Sequence, residues 1–481
     1  MEVESIELDS QKPPRKSGFN KYVLLCSLLA STNSVLLGYD IGVMSGAALY
    51  IKDAMKINSV KVEILVGSLN VCSLIGSLLS GKTSDLIGRR YTIVLAAMTF
   101  LVGAIVMGLA PNYGLLLAGR LLAGIAVGYA LMIAPVYTSE IAPPSKRGFL
   151  ASLPEFFIVM GILLGYISNY IFSGLSPNIN WRLMLGIAAV PSVIIAAGVI
   201  IMPESPRWLV SKDRIEEAKA VLIKTSQSSH ESELRLAEIV KAHEESKNNN
   251  TKGVWMEILR PTPAVRRMLV AAIGINFFMQ ASGNDAVIYY TPQVFKGAGI
   301  HSKKTLFGVN VIMGLSKTVF VLISAIFLDR FGRRPLLFIG TTGMAVSLAV
   351  LGGASKVIES SNHKPMWAIV VSIIAVCADV SFFSIGLGPI TWVYSSEIFP
   401  SRIRAQASAL AISVNRLVSG AVAMSFLSIS EAISFGGMFL VLSGIMVVAD
   451  VYFYFFLPET KGRTLEEMVK VFEKNDPGQE T

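Results

Sequence analysis

The chain has 481 residues, of which 53% are hydrophobic and only 16% charged, a balance too apolar for an ordinary soluble protein of this size. Its formal charge of +9 does not mark a nucleic-acid binder, because the basic residues gather in short connectors and form no stripe. Cys26, Cys72 and Cys377 all lie in apolar stretches without a CxxC pair, which excludes a redox or structural-metal framework.

Residues 1–20 are polar, carry Lys12, Arg15 and Lys16, and lack a cleavage site, which predicts a disordered cytosolic tail. Apolar stretches follow at 22–49, 62–81, 91–110, 113–139, 150–173 and 182–202, then at 266–295, 306–328, 335–354, 366–395, 405–429 and 434–457. Each is near the ~20 residues that cross a bilayer as a helix. The chain therefore reads as an all-α membrane protein with twelve transmembrane helices, six in residues 21–202 and six in 266–457. An even count puts both termini on one side, and the Arg and Lys after every second stretch make that side cytosolic. Between the sets, 203–265 repeats Ala218, Val221 and Leu222, then Leu234, Leu236 and Ile239, among Lys and Glu. That spacing predicts short amphipathic helices against the cytosolic face. Lys247–Thr251 reads as a link, whose Asn249-Asn250-Thr251 triplet should stay unglycosylated in the cytosol, and 458–481 as a cytosolic tail. Gly124 and Gly128 form a GxxxG pair suited to close helix packing.

Several short motifs occur twice in the same order. Asp85-Leu-Ile-Gly-Arg-Arg90 is echoed by Asp329-Arg-Phe-Gly-Arg-Arg334, and Ser139-Glu140-Ile-Ala-Pro143 by Ser396-Glu397-Ile-Phe-Pro400. Arg147 and Arg404 follow the latter pair at equal distance, and Pro203-Glu204-Ser205-Pro206 returns as Pro458-Glu459-Thr460. An offset of roughly 250 residues is that of a duplicated half-molecule, not of a solenoid unit. No GxxxxGK[ST] loop is present, and His230, His243, His301 and His363 lie in connectors without ligand spacing. Neither a nucleotide, a metal nor another cofactor is expected, and no catalytic set shares a plausible face.

Asp40, Arg120, Glu155, Asp285, Lys317 and Arg416 fall well inside the apolar stretches. At about 2.5–3.5 kcal/mol each in mid-membrane, they require partners or a water-filled cavity. Asp40 with Arg120 is one candidate pair within the first half. Asn276, Gln280, Asn284 and Asp285 punctuate one helix ahead of Tyr289, Tyr290 and Pro292, a pattern suited to a ligand dense in hydroxyls. Trp392 follows Gly386-Leu-Gly-Pro389, which breaks its helix, and offers a flat apolar face to a carbohydrate. Asp379 has no evident place in this scheme.

The doubled DxxGRR loops, Pro-Glu-Ser-Pro-Arg207 and Pro-Glu-Thr-Lys-Gly462 resemble the sugar porter family of the major facilitator superfamily. Gly38-Tyr-Asp-Ile-Gly-Val-Met-Ser-Gly46, Trp181-Arg-Leu-Met-Leu-Gly186, Gly388-Pro-Ile-Thr-Trp-Val-Tyr-Ser-Ser-Glu397, Glu155, Lys317 and Asn415-Arg416 resemble its plant polyol/monosaccharide–proton symporters. The resemblance implies the major facilitator fold, two pseudo-symmetric six-helix halves with a site between them. It implies that Asp40 takes the proton-binding position and Arg120 the coupling position. Glu155, Gln280, Asp285, Trp392 and Asn415 match sugar-contacting positions; Asn284, Tyr290, Lys317, Phe383 and Arg416 complete the candidate substrate site. Met279, Asn284 and Asp379 depart from the usual glutamine, isoleucine and tyrosine, which bears on the substrate and not on its class.

The function expected is symport of a linear polyol or monosaccharide with a proton, in a plasma-membrane protein that works as a monomer in its bilayer. Asp85, Arg89, Arg90, Glu140, Arg147, Glu204, Arg207, Asp329, Arg333, Arg334, Glu397, Arg404 and Glu459 form an expected cytosolic gate, in which arginines pair with glutamates to lock that side. A proton-independent facilitator is disfavoured by Asp40, and a non-transporting sugar sensor by the short stretch after Gly462.

Overall fold

The computed structural model describes residues 20–142, 147–226, 228–248, 254–297, 300, 302–361, 364–399, 403–461 and 472. The first half comprises α1 (Lys21–Thr32), α2 (Ser34–Met55), α3 (Ser59–Ile87), α4 (Arg89–Leu109), α5 (Tyr113–Ile141), α6 (Arg147–Phe172), α7 (Asn180–Gly186) and α8 (Ala189–Ile200). The connecting segment holds α9 (Pro206–Ser211), α10 (Ile215–Thr225), α11 (Ser229–Asn248) and α12 (Val254–Leu259). The second half runs through α13 (Pro263–Ala281), α14 (Asn284–Gly297), α15 (Lys303–Phe331), α16 (Arg333–Ser360), α17 (Met366–Ile385), α18 (Leu387–Glu397), α19 (Arg404–Ile433) and α20 (Phe435–Phe456).

Among the described residues, eleven helices or helix runs are long and apolar enough to cross a membrane, the first of them α1 and α2 together. The twelfth crossing, expected as one helix over 266–295, is made in two pieces, α13 and α14. Ser282 and Gly283 interrupt it, Gly283 with φ 75°, and Asn276, Gln280, Asn284 and Asp285 make it too polar to pass as a lipid span. The expected break at Gly386 separates α17 from α18 in the same way. Polar residues mark the other ends: Asn58 accepts from Lys61 N, Asn112 from Leu115 N, and Ser302 from Thr305 N, each capping a helix start.

The two halves repeat one packing scheme. Helix α2 packs on α6 as α13 does on α19, α3 on α5 as α15 on α17, α4 on α5 as α16 on α17, and α4 on α8 as α16 on α20. The halves meet through α3 against α19 and α6 against α15. The GxxxG pair lies on the α3–α5 contact: a Cβ at Gly128 would sit 2.1 Å from Ser73 O, and one at Gly124 2.6 Å from Leu69 O. Large side chains such as Leu109, Ile194, Ile201, Trp367 and Phe455 stay exposed, an apolar girdle that only lipid covers without cost.

In the connecting segment, Trp208, Leu209, Val210 and Ala218 cluster with Val221, Leu236 and Ile239; of the apolar stripe expected there, Leu222 is also buried but Leu234 stands 53% exposed, on the outer side of its helix. Arg235 donates to Ile141 O at 3.1 Å and Trp208 Nε1 to Asp85 O at 3.1 Å. The segment thus lies on the face carrying the two DxxGRR loops, called here the arginine face. Lys247–Asn248 end α11, while Asn249–Thr251 and both terminal tails lie outside the described residues.

Candidate functional site

Arg120 on α5 and Asp40 on α2 form a fully enclosed pair, 0% and 2% exposed. One guanidinium nitrogen donates to both carboxylate oxygens, at 2.5 and 2.6 Å. The others reach the carbonyls of Leu65 at 3.1 Å and Val66 at 3.3 Å on α3. The arginine therefore ties three helices of one half together, and only arginine has enough donors in a fixed fork to do so.

A second polar cluster occupies the other half. Asn276 and Gln280 are one helical turn apart on α13 and so share a face. Asn276 donates to Ser395 Oγ at 3.0 Å, and Asn415 donates to Asn276 O at 3.3 Å and to Met279 Sδ at 3.4 Å. Arg416 Nε donates to Asn415 Oδ1 at 2.9 Å. With the Gln280 amide nitrogen turned to Asp285 Oδ2 at 2.9 Å, its oxygen accepts from Arg416 at 2.8 Å, which satisfies both ends. Ser419 Oγ also donates to Asp285, at 2.9 Å. Lys317 on α15 donates to Asn284 at 3.4 Å and stands 4.7 Å over the Phe383 ring. Glu155, from the first half, accepts from Trp392 Nε1 across the interface at 2.9 Å. Arg416 Nη1 and both oxygens of Asp379 are buried without a hydrogen bond. Buried groups left unsatisfied in this way suit a ligand that both donates and accepts.

The arginine face repeats one device twice. Glu204 accepts from the backbone N–H of Arg89 at 2.9 Å and Arg90 at 3.2 Å, capping α4; Glu459 accepts from Arg333 at 3.0 Å and Arg334 at 2.9 Å, capping α16. The Arg89 side chain pairs with Glu140 at 3.1 Å and Asp85 at 3.0 Å, and Arg333 with Glu397 at 2.8 Å. Arg90 donates to Met202 O at 3.2 Å and Arg334 to Tyr454 O at 2.7 Å. The Ser205 hydroxyl donates to Glu140, and Thr460 to Glu397 at 2.8 Å. Burial lifts the Glu204 carboxyl above the usual range despite the N–H groups of Ser205, Arg90 and Arg89. At Glu459 burial acts the same way, but the N–H groups of Arg334, Arg333, Lys461 and Thr460 outweigh it and hold the carboxyl below that range.

The sequence profile of the family described as "Sugar (and other) transporter" matches residues 26–472. The chain belongs to this family. The transporter is 55% identical to Polyol transporter 5 of Arabidopsis thaliana over 96% of its own length and 87% of that relative. It is 50% identical to Probable polyol transporter 6 of the same plant, over 98% and 97%. The solved structure of the major facilitator superfamily proton:xylose symporter XylE bound to 6-bromo-6-deoxy-D-glucose superposes with a TM-score of 0.81 at 26% identity, over 94% of this chain and 100% of that one. The transporter is thus a multi-pass membrane protein of the major facilitator fold.

The structure brings Glu155, Gln280, Asn284, Asp285, Lys317, Phe383, Trp392, Asn415 and Arg416 together. It does not bring the Tyr290 hydroxyl to them: that group donates to Ala423 O at 2.8 Å, and its ring stacks on Phe426 at 5.3 Å. The Arg89–Glu140, Arg89–Asp85 and Arg333–Glu397 pairs each join residues of one half, not one half to the other. Arg207 is exposed, and the side chains of Arg147, Asp329 and Arg404 lie outside the described residues. Sequence reasoning missed Glu63, 1% exposed, which accepts from Ser428 N at 2.8 Å and Ser428 Oγ at 2.5 Å across the two halves. At the edge of an apolar stretch it carries no signal that separates it from a solvated helix end.

Proposed function

We propose that the transporter carries linear polyols and related monosaccharides with protons, by rocking of the halves 21–202 and 266–457 about the site between them. The observation that supports this best is the enclosed Arg120–Asp40 pair, held in one half while the hydroxyl-matching cluster sits in the other half and at the interface. A carboxylate that alternates between an arginine partner and a dry site without one alternates between ionised and neutral forms. Such alternation is what coupling to a proton requires. Asn415, Gln280, Asp285, Glu155, Lys317 and Arg416 supply donors and acceptors for successive hydroxyls, with the Trp392 and Phe383 rings against C–H faces. The polyol names of the Arabidopsis relatives and the proton:xylose symport named for the solved structure support the same class.

In this reading the arginine face is cytosolic, both termini lie there, and the protein acts as a monomer in the plasma membrane. Ser45–Asn310, Glu155–Trp392 and Glu63–Ser428 are hydrogen bonds that join the halves at mid-depth or towards the opposite face. A cavity of about 200 Å³ bounded by Ser77, Lys82, Met132 and Gln406 opens between the halves near the arginine face. Both features support an inward-facing arrangement, with Arg89–Glu140 and Arg333–Glu397 bracing each half from within.

The test is uptake of labelled sorbitol into vesicles carrying an inward proton gradient. Accumulation should exceed equilibrium and collapse with a protonophore, and Asp40→Asn should abolish accumulation while sparing exchange. Accumulation by Asp40→Asn would remove Asp40 from the coupling role. Uptake that equilibrates with or without the protonophore would make the protein a facilitator.

A further inference from the structure

The buried charges around the amide cluster do not balance. Glu155, Asp379 and the part-buried Asp285 supply three carboxylates; Lys317 and Arg416 supply two cations, and the Asp40–Arg120 pair is closed on itself. Glu155 is held by Trp392, and Asp285 by Ser419 and Asn284. Asp379, 1% exposed on α17, has no hydrogen bond to either oxygen. Lys317, 3% exposed, has no ion pair with a carboxylate among the described residues. Its nitrogen instead lies over Phe383, which is one turn along α17 from Asp379 and so on the same side of that helix.

Few other ionisable groups stand near Asp379. Helix α16, packed along α17, has none between Arg334 and Lys356; α18 offers Tyr394 and, at its end, Glu397; α14 offers Asp285, Tyr289 and Tyr290; α15 offers Lys317; α17 itself has Cys377, beside which Tyr166 of α6 lies. Lys317 stands among the carboxyls of Glu155, Asp285 and Asp379. An ionised carboxylate without hydrogen bond or ion pair is far costlier to bury than a neutral acid.

We propose that Asp379, poised beside Lys317, is a second proton-binding residue, located in the substrate pocket and separate from the Asp40–Arg120 pair. In its neutral form the carboxyl O–H donates to a substrate hydroxyl while the carbonyl oxygen accepts from another, so the pocket binds polyol best when Asp379 carries its proton. Ionisation removes the donor and draws Lys317 away from the substrate towards Asp379. This inference rests on the polyol transport reading above.

The experiment is sorbitol counterflow in proteoliposomes with Asp40→Asn, in which the first proton site is silent. The KM for sorbitol should rise at least about threefold from acid to alkaline pH, and this slope should disappear in Asp40→Asn/Asp379→Asn, whose amide cannot titrate. A slope unchanged by Asp379→Asn overturns the proposal. If that variant does not reach the membrane, Lys317→Gln in the same background should move the midpoint of the slope to higher pH, because the cation favouring the ionised acid is gone. An unmoved midpoint also overturns it. Absence of exchange by the wild type defeats the transport reading and this inference with it, whereas exchange with an unaltered slope defeats this inference alone.

Discussion

Glu155 and Lys317 bring charge to the amide cluster of the candidate site, and a linear polyol, longer and more flexible than a ring sugar, loses more entropy on binding. Charge-assisted hydrogen bonds contribute about 1.5–3 kcal/mol each, enough to offset that loss. Glu155→Gln and Lys317→Asn together should therefore raise the inhibition constant of sorbitol about tenfold more than that of glucose in competition assays; equal losses would assign the two residues to charge balance alone. Glu459 and Glu204 make a second comparison. The folded Glu459 carboxyl lies below its usual range, so its stabilisation is present above the unfolded value of about 4.3 and disappears as pH falls through the folded one. Glu459→Gln should lower stability by about 1 kcal/mol at neutral pH, a gap that closes on acidification. Glu204, shifted upward by burial, favours the folded state increasingly as pH falls, so Glu204→Gln should cost less at neutral pH. Thermal unfolding in detergent at neutral and acid pH compares them. At this scale Asp40 and Arg120 were legible because an ionisable residue in an apolar run needs a partner. Glu63 and Asp379 were not, since one stood at a run's edge and the other has no hydrogen-bonding partner to be read.

Helix junctions show why the motifs recur. Gly88 (φ 97°, ψ 165°) and Gly332 (φ 93°, ψ 169°) each precede a helix start in a backbone region that only glycine enters without strain. A Cβ there would lie 2.3 Å from Glu204 Oε2 or 2.9 Å from Glu459 Oε2. Gly88→Ala should cost roughly 1–3 kcal/mol for the backbone alone and loosen the α4 cap, visible as faster amide exchange at Arg89 and Arg90. Ser434 holds the same region without being glycine (φ 74°, ψ 159°). Its hydroxyl caps Gly437 N at 3.2 Å, a bond worth only a few tenths of a kcal/mol more than glycine at a cap. Ser434→Gly should accordingly raise the melting temperature through a gain of about 1 kcal/mol. An unchanged or lower value would mean that the cap outweighs the strain.

Between the halves, Glu63 is the one described carboxylate that bridges them with two hydrogen bonds away from the arginine face. In the proposed rocking of the halves those bonds hold only while that side is closed, so they bias the equilibrium by their own differential stability. Glu63→Ala should shift the population towards opening on that side, about tenfold for each 1.4 kcal/mol lost, and increase labelling of a cysteine placed at Ser45. Arg89→Ala removes a brace within one half and should lower stability more than it moves this equilibrium. Labelling unaffected by Glu63→Ala would show that helix packing alone closes that face.

Apolar length, basic connectors and paired motifs determined the membrane class and the two halves, because a bilayer admits few solutions for unpaired backbone and duplicated segments fold alike. Spacing along the chain carries no information about distances across the interface. The broken crossing at Ser282–Gly283, the confinement of Arg89–Glu140 and Arg333–Glu397 to single halves, the withdrawal of Tyr290, the Glu63–Ser428 bridge and the solitary Asp379 were decided only by packing of one half on the other. There the partners are residues hundreds of positions apart, and a carboxylate's role depends on which atoms the fold leaves beside it.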